Sequence, residues 1–296
     1  MRNEIYASIA SKLRVLTGIP ALQKVGRHLP IGLKRLYWNT PSLWLPKVIP
    51  FQDFKMYGNS LHDAALYKEI LEGKYEKRTV ELVKNLLGEG MAFVDIGAHI
   101  GFYTLLAARL VGSKGKVYAF EPDPSNSTSL RNNVELNGCN NVILVPKAIS
   151  DRSGTAKLNL GKYSETNSLY VPVWPTDRSV MVETISLDEF WDSVETKIGP
   201  LTIGLLKIDV EGAEPFVLDG MKKILERGAC RHIIIEFNPQ CLRGAAIDPS
   251  SFLKRLFILF KNVYLIDDDA GLVSLDAQNH SGFNRDYVNL YVTNTI

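Results

Sequence analysis

From residue 76 onward, short apolar runs alternate with longer stretches whose apolar positions recur at helical spacing. Val80, Leu82, Val83, Leu86 and Leu87 mark a helix that Gly88 and Gly90 end. Residues 92–96 read as a buried strand running into glycines, 102–111 as a helix and 116–120 as a second strand. Residues 124–137 predict a polar helix with Pro124 in its first turn, where a missing N–H costs little, and Asp123 as its cap. Further strands are expected at 142–145, 205–210, 232–237, 263–266 and 288–292, and helices at 216–227 and 252–261. Residues 154–186, rich in Thr, Ser, Tyr and Val, predict short antiparallel strands with a loop. Strands alternating with helices imply parallel βαβ units in an α/β sheet covered on both faces. The unbroken run Ile233, Ile234, Ile235 fits a strand buried on both sides.

Residues 1–75 read differently. Ile5, Ile9, Leu13 and Leu16 define one helical face, and Gly18 and Pro20 end it. Pro30, Pro41, Pro46 and Pro50 then punctuate a stretch holding Tyr37, Trp38 and Trp44. The reading is a helical and irregular arm over 1–75, without a recognised motif, followed by one domain over 76–296. Charge sharpens the division. The 296 residues carry a net +2, but residues 1–50 hold eight Lys/Arg and only Glu4, leaving 26 basic and 31 acidic residues in the remainder. The arm is therefore +7 and the rest −5. Basic residues beside aromatics suit either a solvated face or peripheral contact with an anionic membrane surface, and an interfacial helix usually has a cleaner polar face than this.

At 46% apolar and 22% charged, the chain can bury a core and is not disordered. Cys139, Cys230 and Cys241 are too few and too scattered for a disulfide framework or a zinc site, and read as reduced, small apolar residues of a cytoplasmic protein. Lys12 and Arg14 interrupt any signal-peptide core, and no uncharged apolar run reaches membrane-spanning length.

The chemistry concentrates at strand ends. Asp95-Ile96-Gly97-Ala98-His99-Ile100-Gly101 joins a buried strand to a helix. Gly97 allows the backbone to approach a ligand, Gly101 allows tight helix–strand packing, and free N–H groups at a helix start favour an electron-rich partner. The spacing is not the G-x-G-x-x-G dinucleotide fingerprint. Glu121, before Pro122, ends the next strand, where an ionised carboxylate accepts both hydroxyls of a ribose. Asp95 needs a partner inside its apolar strand, and either the loop N–H groups or a ligand ammonium would serve.

These residues carry a resemblance. The chain resembles the FkbM family of class I S-adenosylmethionine-dependent methyltransferases through Tyr75-Glu76-Lys77-Arg78-Thr79 with Asp95-Ile96-Gly97-Ala98, and through Phe120-Glu121-Pro122-Asp123. Ala148-Ile149-Ser150-Asp151, Ser186-Leu187-Asp188-Glu189-Phe190, Lys207-Ile208-Asp209-Val210-Glu211-Gly212-Ala213-Glu214 and Ile235-Glu236-Phe237-Asn238-Pro239 extend it over about residues 75–295. The resemblance implies a Rossmann-like, seven-stranded, mostly parallel sheet whose last strand is antiparallel. It implies S-adenosylmethionine held by Asp95, Gly97, Ala98, His99, Gly101, Glu121 and Pro122, with Ala148 and Ile149 near the adenine. His99 stands where the family usually has Asn, and can serve as a base or as a spacer.

Asp209 and Glu211 end the fourth strand, across from the methyl donor in this architecture. Strand alternation would put both on one side, as a base for an acceptor hydroxyl or as ligands of a divalent cation. Glu214 reads as a dipole-complementing acid, Lys207 as the partner of a nearby acid, and Glu236 as a further acceptor-site candidate. Trp174 and Trp191 suit either a sugar or the core. The leading expectation is O-methylation, and the resemblance implies an acceptor hydroxyl on a sugar, glycan, glycolipid or polyketide-like metabolite, so the partner is a small-molecule, sugar or lipid-linked acceptor. An RNA base methyltransferase is the first alternative, and the acidic domain, which lacks an Asn-Pro-Pro-Tyr type tetrapeptide, argues against nucleic acid. A nucleotide-dependent oxidoreductase and a membrane-associated, inactive binding protein are the others.

Overall fold

The computed structural model describes residues 48–51, 53–58, 64–276 and 287–294. The expected helix at Ile5–Leu16 and the basic arm up to residue 47 lie outside them. The chain divides into two compact units at Tyr75/Glu76. In the first, β1 (Val48–Phe51) and β2 (Phe54–Tyr57) pair antiparallel, with buried Ile49 opposite buried Met56, and α1 spans Ala64–Glu72.

The second unit begins with α2 (Lys77–Leu86), β3 (Ala92–Ile96), α3 (Phe102–Val111), β4 (Lys116–Phe120), α4 (Pro124–Leu136) and β5 (Val142–Val145). A three-stranded insertion follows: β6 (Ala148–Ile149), β7 (Gly154–Gly161) and β8 (Pro175–Ile185), β7 and β8 antiparallel. Then come α5 (Leu187–Ile198), β9 (Ile203–Ile208), α6 (Glu214–Asp219), α7 (Lys222–Glu226), β10 (His232–Phe237), α8 (Pro239–Gly244), α9 (Pro249–Leu259), β11 (Asn262–Asp267), β12 (Gly271–Leu275) and β13 (Val288–Thr293). The main sheet runs β12-β11-β13-β10-β9-β3-β4-β5, with β13 antiparallel to β10. Every residue of β3, β9 and β13 is buried, because helices cover both faces of a mostly parallel sheet.

Two expectations need correction. The sheet has eight strands, because Asp267 accepts hydrogen bonds from the N–H groups of Asp269 and Ala270 and folds the chain into a hairpin that adds β12. The helix expected over 216–227 is broken. Gly220 presses so close to the Ser150 carbonyl that a Cβ there would stand 2.0 Å from its oxygen, and α6 and α7 separate around that contact. Asp123 caps α4 as expected, its Oδ1 accepting from Ser125 and Asn126 N–H at 2.8 and 2.9 Å. Asp123→Ala should lower stability by about 1 kcal/mol, read as the shift in a urea unfolding midpoint. No described helix is long and apolar enough to cross a membrane.

Candidate active site

The loop after β3 is tied to the end of β4. Gly97 and Ala98 N–H donate to the Phe120 carbonyl at 3.0 and 2.9 Å. His99, at φ 52°, donates its N–H to Glu121 Oε2 at 2.8 Å, and Asp123 N–H donates to Oε1 at 2.9 Å. Glu121 thus orders the loop with one lone pair on each oxygen and keeps two acceptor positions for a diol. It is buried, and burial pushes its pKa up to about 7 against the His99 charge and the two N–H bonds. Full ionisation at neutral pH, expected from the exposed value, gives way to this desolvation. Pro122 is half-buried and Ala98 is buried.

Both glycines make close approaches within the chain itself. A Cβ on Gly97, at φ 82°, would stand 1.8 Å from the Asp209 carbonyl oxygen, so the close approach is to the chain after β9. Gly101, at φ 96°, lies against Leu130 of α4, whose Cδ1 would be 2.4 Å from a Cβ. Asp95 is partnered by the first turn of α3, where Thr104 offers it both a hydroxyl and a backbone N–H. It is buried, accepts from Thr104 Oγ1 at 2.6 Å, and burial raises its pKa to about 6 despite nearby Lys207. Ala148 packs with Leu158 and Val182 and Ile149 enters the main core, so the side chains of both are committed to packing.

Behind the loop lies a buried polar network whose members come from distant parts of the chain. Lys207 Nζ is 2.5 Å from Asp209 Oδ2 and 4.7 Å from the Tyr103 ring centre. Burial would lower the ammonium's pKa, but Asp209, Glu76 and Asp95 hold it above its ordinary value. Glu76 Oε2 accepts from Tyr103 Oη at 2.5 Å and from Asn289 Nδ2 at 2.9 Å. Tyr103, Thr104 and Asn289 are absent from the sequence-level site, because no local spacing announces contacts between α2, α3, β9 and β13.

Asp209 follows the end of β9 and donates its N–H to the Ile96 carbonyl at 3.0 Å, which ties this turn to the glycine loop. The strand does not continue to Glu211. A turn with Glu211 at φ 52° and Gly212 at φ 99° brings the two carboxylates together in place of alternation. Glu214 is fully buried and fixes that turn by accepting N–H from Val210 and Gly212 at 3.0–3.2 Å. Glu211 Oε2 accepts from Cys241 Sγ at 2.8 Å, so Cys241 is a polar partner and not a mere apolar filler. Burial and then the Asp209 charge push the Glu211 carboxyl above its usual range. Glu236, the penultimate residue of β10, is beside them, since Ile235 pairs with Ile208 in parallel register. One oxygen each from Asp209, Glu211 and Glu236 lies within 4.8 Å of the others.

The insertion fastens to both loops. Ser164 Oγ is 2.7 Å from His99 Nε2, and Ser168 Oγ donates to the Glu211 carbonyl at 2.7 Å. Trp191 is a core residue, fully buried with Nε1 donating to the Leu201 carbonyl. Trp174 is half exposed and meets Tyr163 edge-on at 5.5 Å.

A family model described as the methyltransferase FkbM domain matches residues 95–264, more than half of the chain. The chain belongs to the FkbM family of S-adenosylmethionine-dependent methyltransferases. Among curated proteins it is similar to the probable cobalt-precorrin-6B C(15)-methyltransferase (decarboxylating) of Sulfurisphaera tokodaii, with 40% identity over 72 residues, which cover 24% of this chain and 38% of that one. The match thus spans about two fifths of that relative's length. Among solved structures it is similar to a methyltransferase FkbM from Methylobacillus flagellatus KT, at 14% identity and TM-score 0.42, covering 81% of this chain and 56% of that one. It is also similar to an rRNA methylase from Streptococcus thermophilus, at 11% identity and TM-score 0.39, covering 73% of this chain and 95% of that one.

Proposed function

We propose that this FkbM methyltransferase O-methylates a hydroxyl of a sugar, glycan, lipid-linked glycolipid or polyketide-like metabolite. The juxtaposition of the glycine loop with the Asp209–Glu211 turn carries the reading. Gly97 abuts the Asp209 carbonyl, so a donor held on the loop and an acceptor held by the carboxylates would meet over a short distance. S-adenosylmethionine supplies a methyl group on a cationic sulfur. The loop residues fit it: Glu121 retains acceptor capacity for a ribose diol. In this reading Asp95, Gly97, Ala98, His99, Gly101, Glu121 and Pro122 form the cofactor site, with Ala148 and Ile149 near the adenine. Asp209 and Glu211 orient the acceptor hydroxyl and receive its proton. The Trp174–Tyr163 pair offers an exposed aromatic face to a sugar ring. The −5 balance outside residues 1–50 favours a neutral acceptor over a polyanion, and the +7 segment is the part suited to an anionic lipid surface.

Transfer of an isotope-labelled methyl group, followed by NMR of the product, tests the reading. An O-methyl signal supports it, and an N-methyl or C-methyl product overturns it. Glu121→Ala should weaken S-adenosylmethionine binding by about tenfold or more by calorimetry, the scale of a lost bond to a charged group. Because the buried Glu121 carboxyl holds its proton up to about pH 7, wild-type affinity should rise as pH increases through 7 and then level off. That dependence should vanish in Glu121→Ala.

A further inference from the structure

We propose that Asp209, Glu211 and Glu236 bind a divalent cation of the Mg2+ or Mn2+ class at the acceptor end of the site. Their three oxygens fall within 4.8 Å of one another. Oxygens on one Mg2+, at about 2.0–2.1 Å each, stand about 3 Å apart when adjacent and about 4 Å apart when opposite, so the carboxylates would close in by at most about 2 Å around the ion. Each residue is positioned independently. Asp209 is held through its N–H on Ile96, Glu211 through the Ser168 bond and the Glu214-fixed turn, and Glu236 by the Ile235–Ile208 strand pairing.

Clustered acids alone do not make a metal site. Here a second observation points to a ligand. Glu236 is 8% exposed, and its Oε2 is the one buried side-chain nitrogen or oxygen among the described residues without a hydrogen-bond partner. A desolvated carboxylate oxygen with no donor is costly, and buried polar groups are nearly always paired. The neighbouring donors are already engaged: Lys207 with Asp209 Oδ2, and the Cys241 thiol with Glu211 Oε2. A cation seated among the three carboxylates would supply Glu236 with a partner that no protein donor provides. An all-oxygen donor set selects hard cations over zinc or copper. The functional part of the inference rests on the O-methylation reading. Such an ion keeps positions for an acceptor hydroxyl and makes that hydroxyl a stronger acid.

Titration of the full chain with Mn2+, followed by electron paramagnetic resonance, tests the site directly. The expected result is one bound Mn2+ per chain, displaced by Mg2+, with affinity at least about tenfold weaker in Glu236→Gln and in Glu211→Gln. Calorimetry with S-adenosylmethionine on the same samples should give wild-type affinity, which establishes that the variants are folded. Absence of Mn2+ uptake by the wild type up to millimolar concentration overturns the site, as does undiminished uptake by both variants. The two readings fail separately. Mn2+ uptake combined with an N-methyl product would retain the site and remove the acceptor assignment. Metal-independent O-methyl transfer without uptake would do the reverse.

Discussion

Replacing Asp209 by Asn is expected to slow methyl transfer about a thousandfold while S-adenosylmethionine affinity stays within a few-fold of wild type. The side chain sits where three features converge. Its N–H is bonded to the Ile96 carbonyl beside the donor loop, its Oδ2 meets Lys207, and its carboxylate joins those of Glu211 and Glu236. Asn keeps the size and can still hydrogen-bond, but it cannot take a proton or balance the Lys207 charge. Lys207 retains Glu76 and Asp95 nearby, so the fold should persist. The loss belongs in kcat more than in the binding of the donor. Single-turnover transfer and calorimetry measure the two effects separately. A fully active variant would remove Asp209 from the acceptor chemistry.

Gly97→Ala should have the largest effect on folding, about 4 kcal/mol. Alanine at φ 82° is strained, and its Cβ would meet the Asp209 carbonyl oxygen at 1.8 Å. The contacting atom is backbone, so the relief available to a flexible side chain is missing. Gly90→Ala provides the comparison: Gly90 has the same φ of 82° but nothing within 4 Å of a Cβ. It should lose only the dihedral cost, about 1 kcal/mol. Urea unfolding of the two variants isolates the steric part. Equal losses would mean that the close approach of loop and turn is unimportant. Gly97→Ala protein that remains folded should also bind S-adenosylmethionine more weakly, since a displaced loop moves His99 N–H off Glu121.

The sequence made the sheet legible because burial on both faces leaves long apolar runs. Ile233–Ile235 and residues 92–96 are strands for that reason. Asp123 was legible because its role is local, at a helix cap. What the sequence concealed depends on distant contacts. Gly97 reads as a turn glycine, but its neighbour is a carbonyl more than a hundred positions later. Gly220 lies within a good helical pattern and breaks it against Ser150. Glu211 joins Asp209 through a left-handed turn that strand periodicity cannot foresee. The Glu76–Tyr103–Asn289 network is assembled from three elements, none of which advertises a polar core position. The unpartnered Glu236 oxygen is likewise visible only once β9 and β10 are in register.

The purified full chain, given labelled S-adenosylmethionine, should be offered sugar nucleotides, lipid-linked glycans and total RNA in parallel. Acceptor O-methylation at this site predicts label in a hydroxylated, non-nucleic-acid acceptor as an O-methyl group, lost when Asp209 is replaced by Asn. Label confined to RNA bases, undiminished by that replacement, would contradict it.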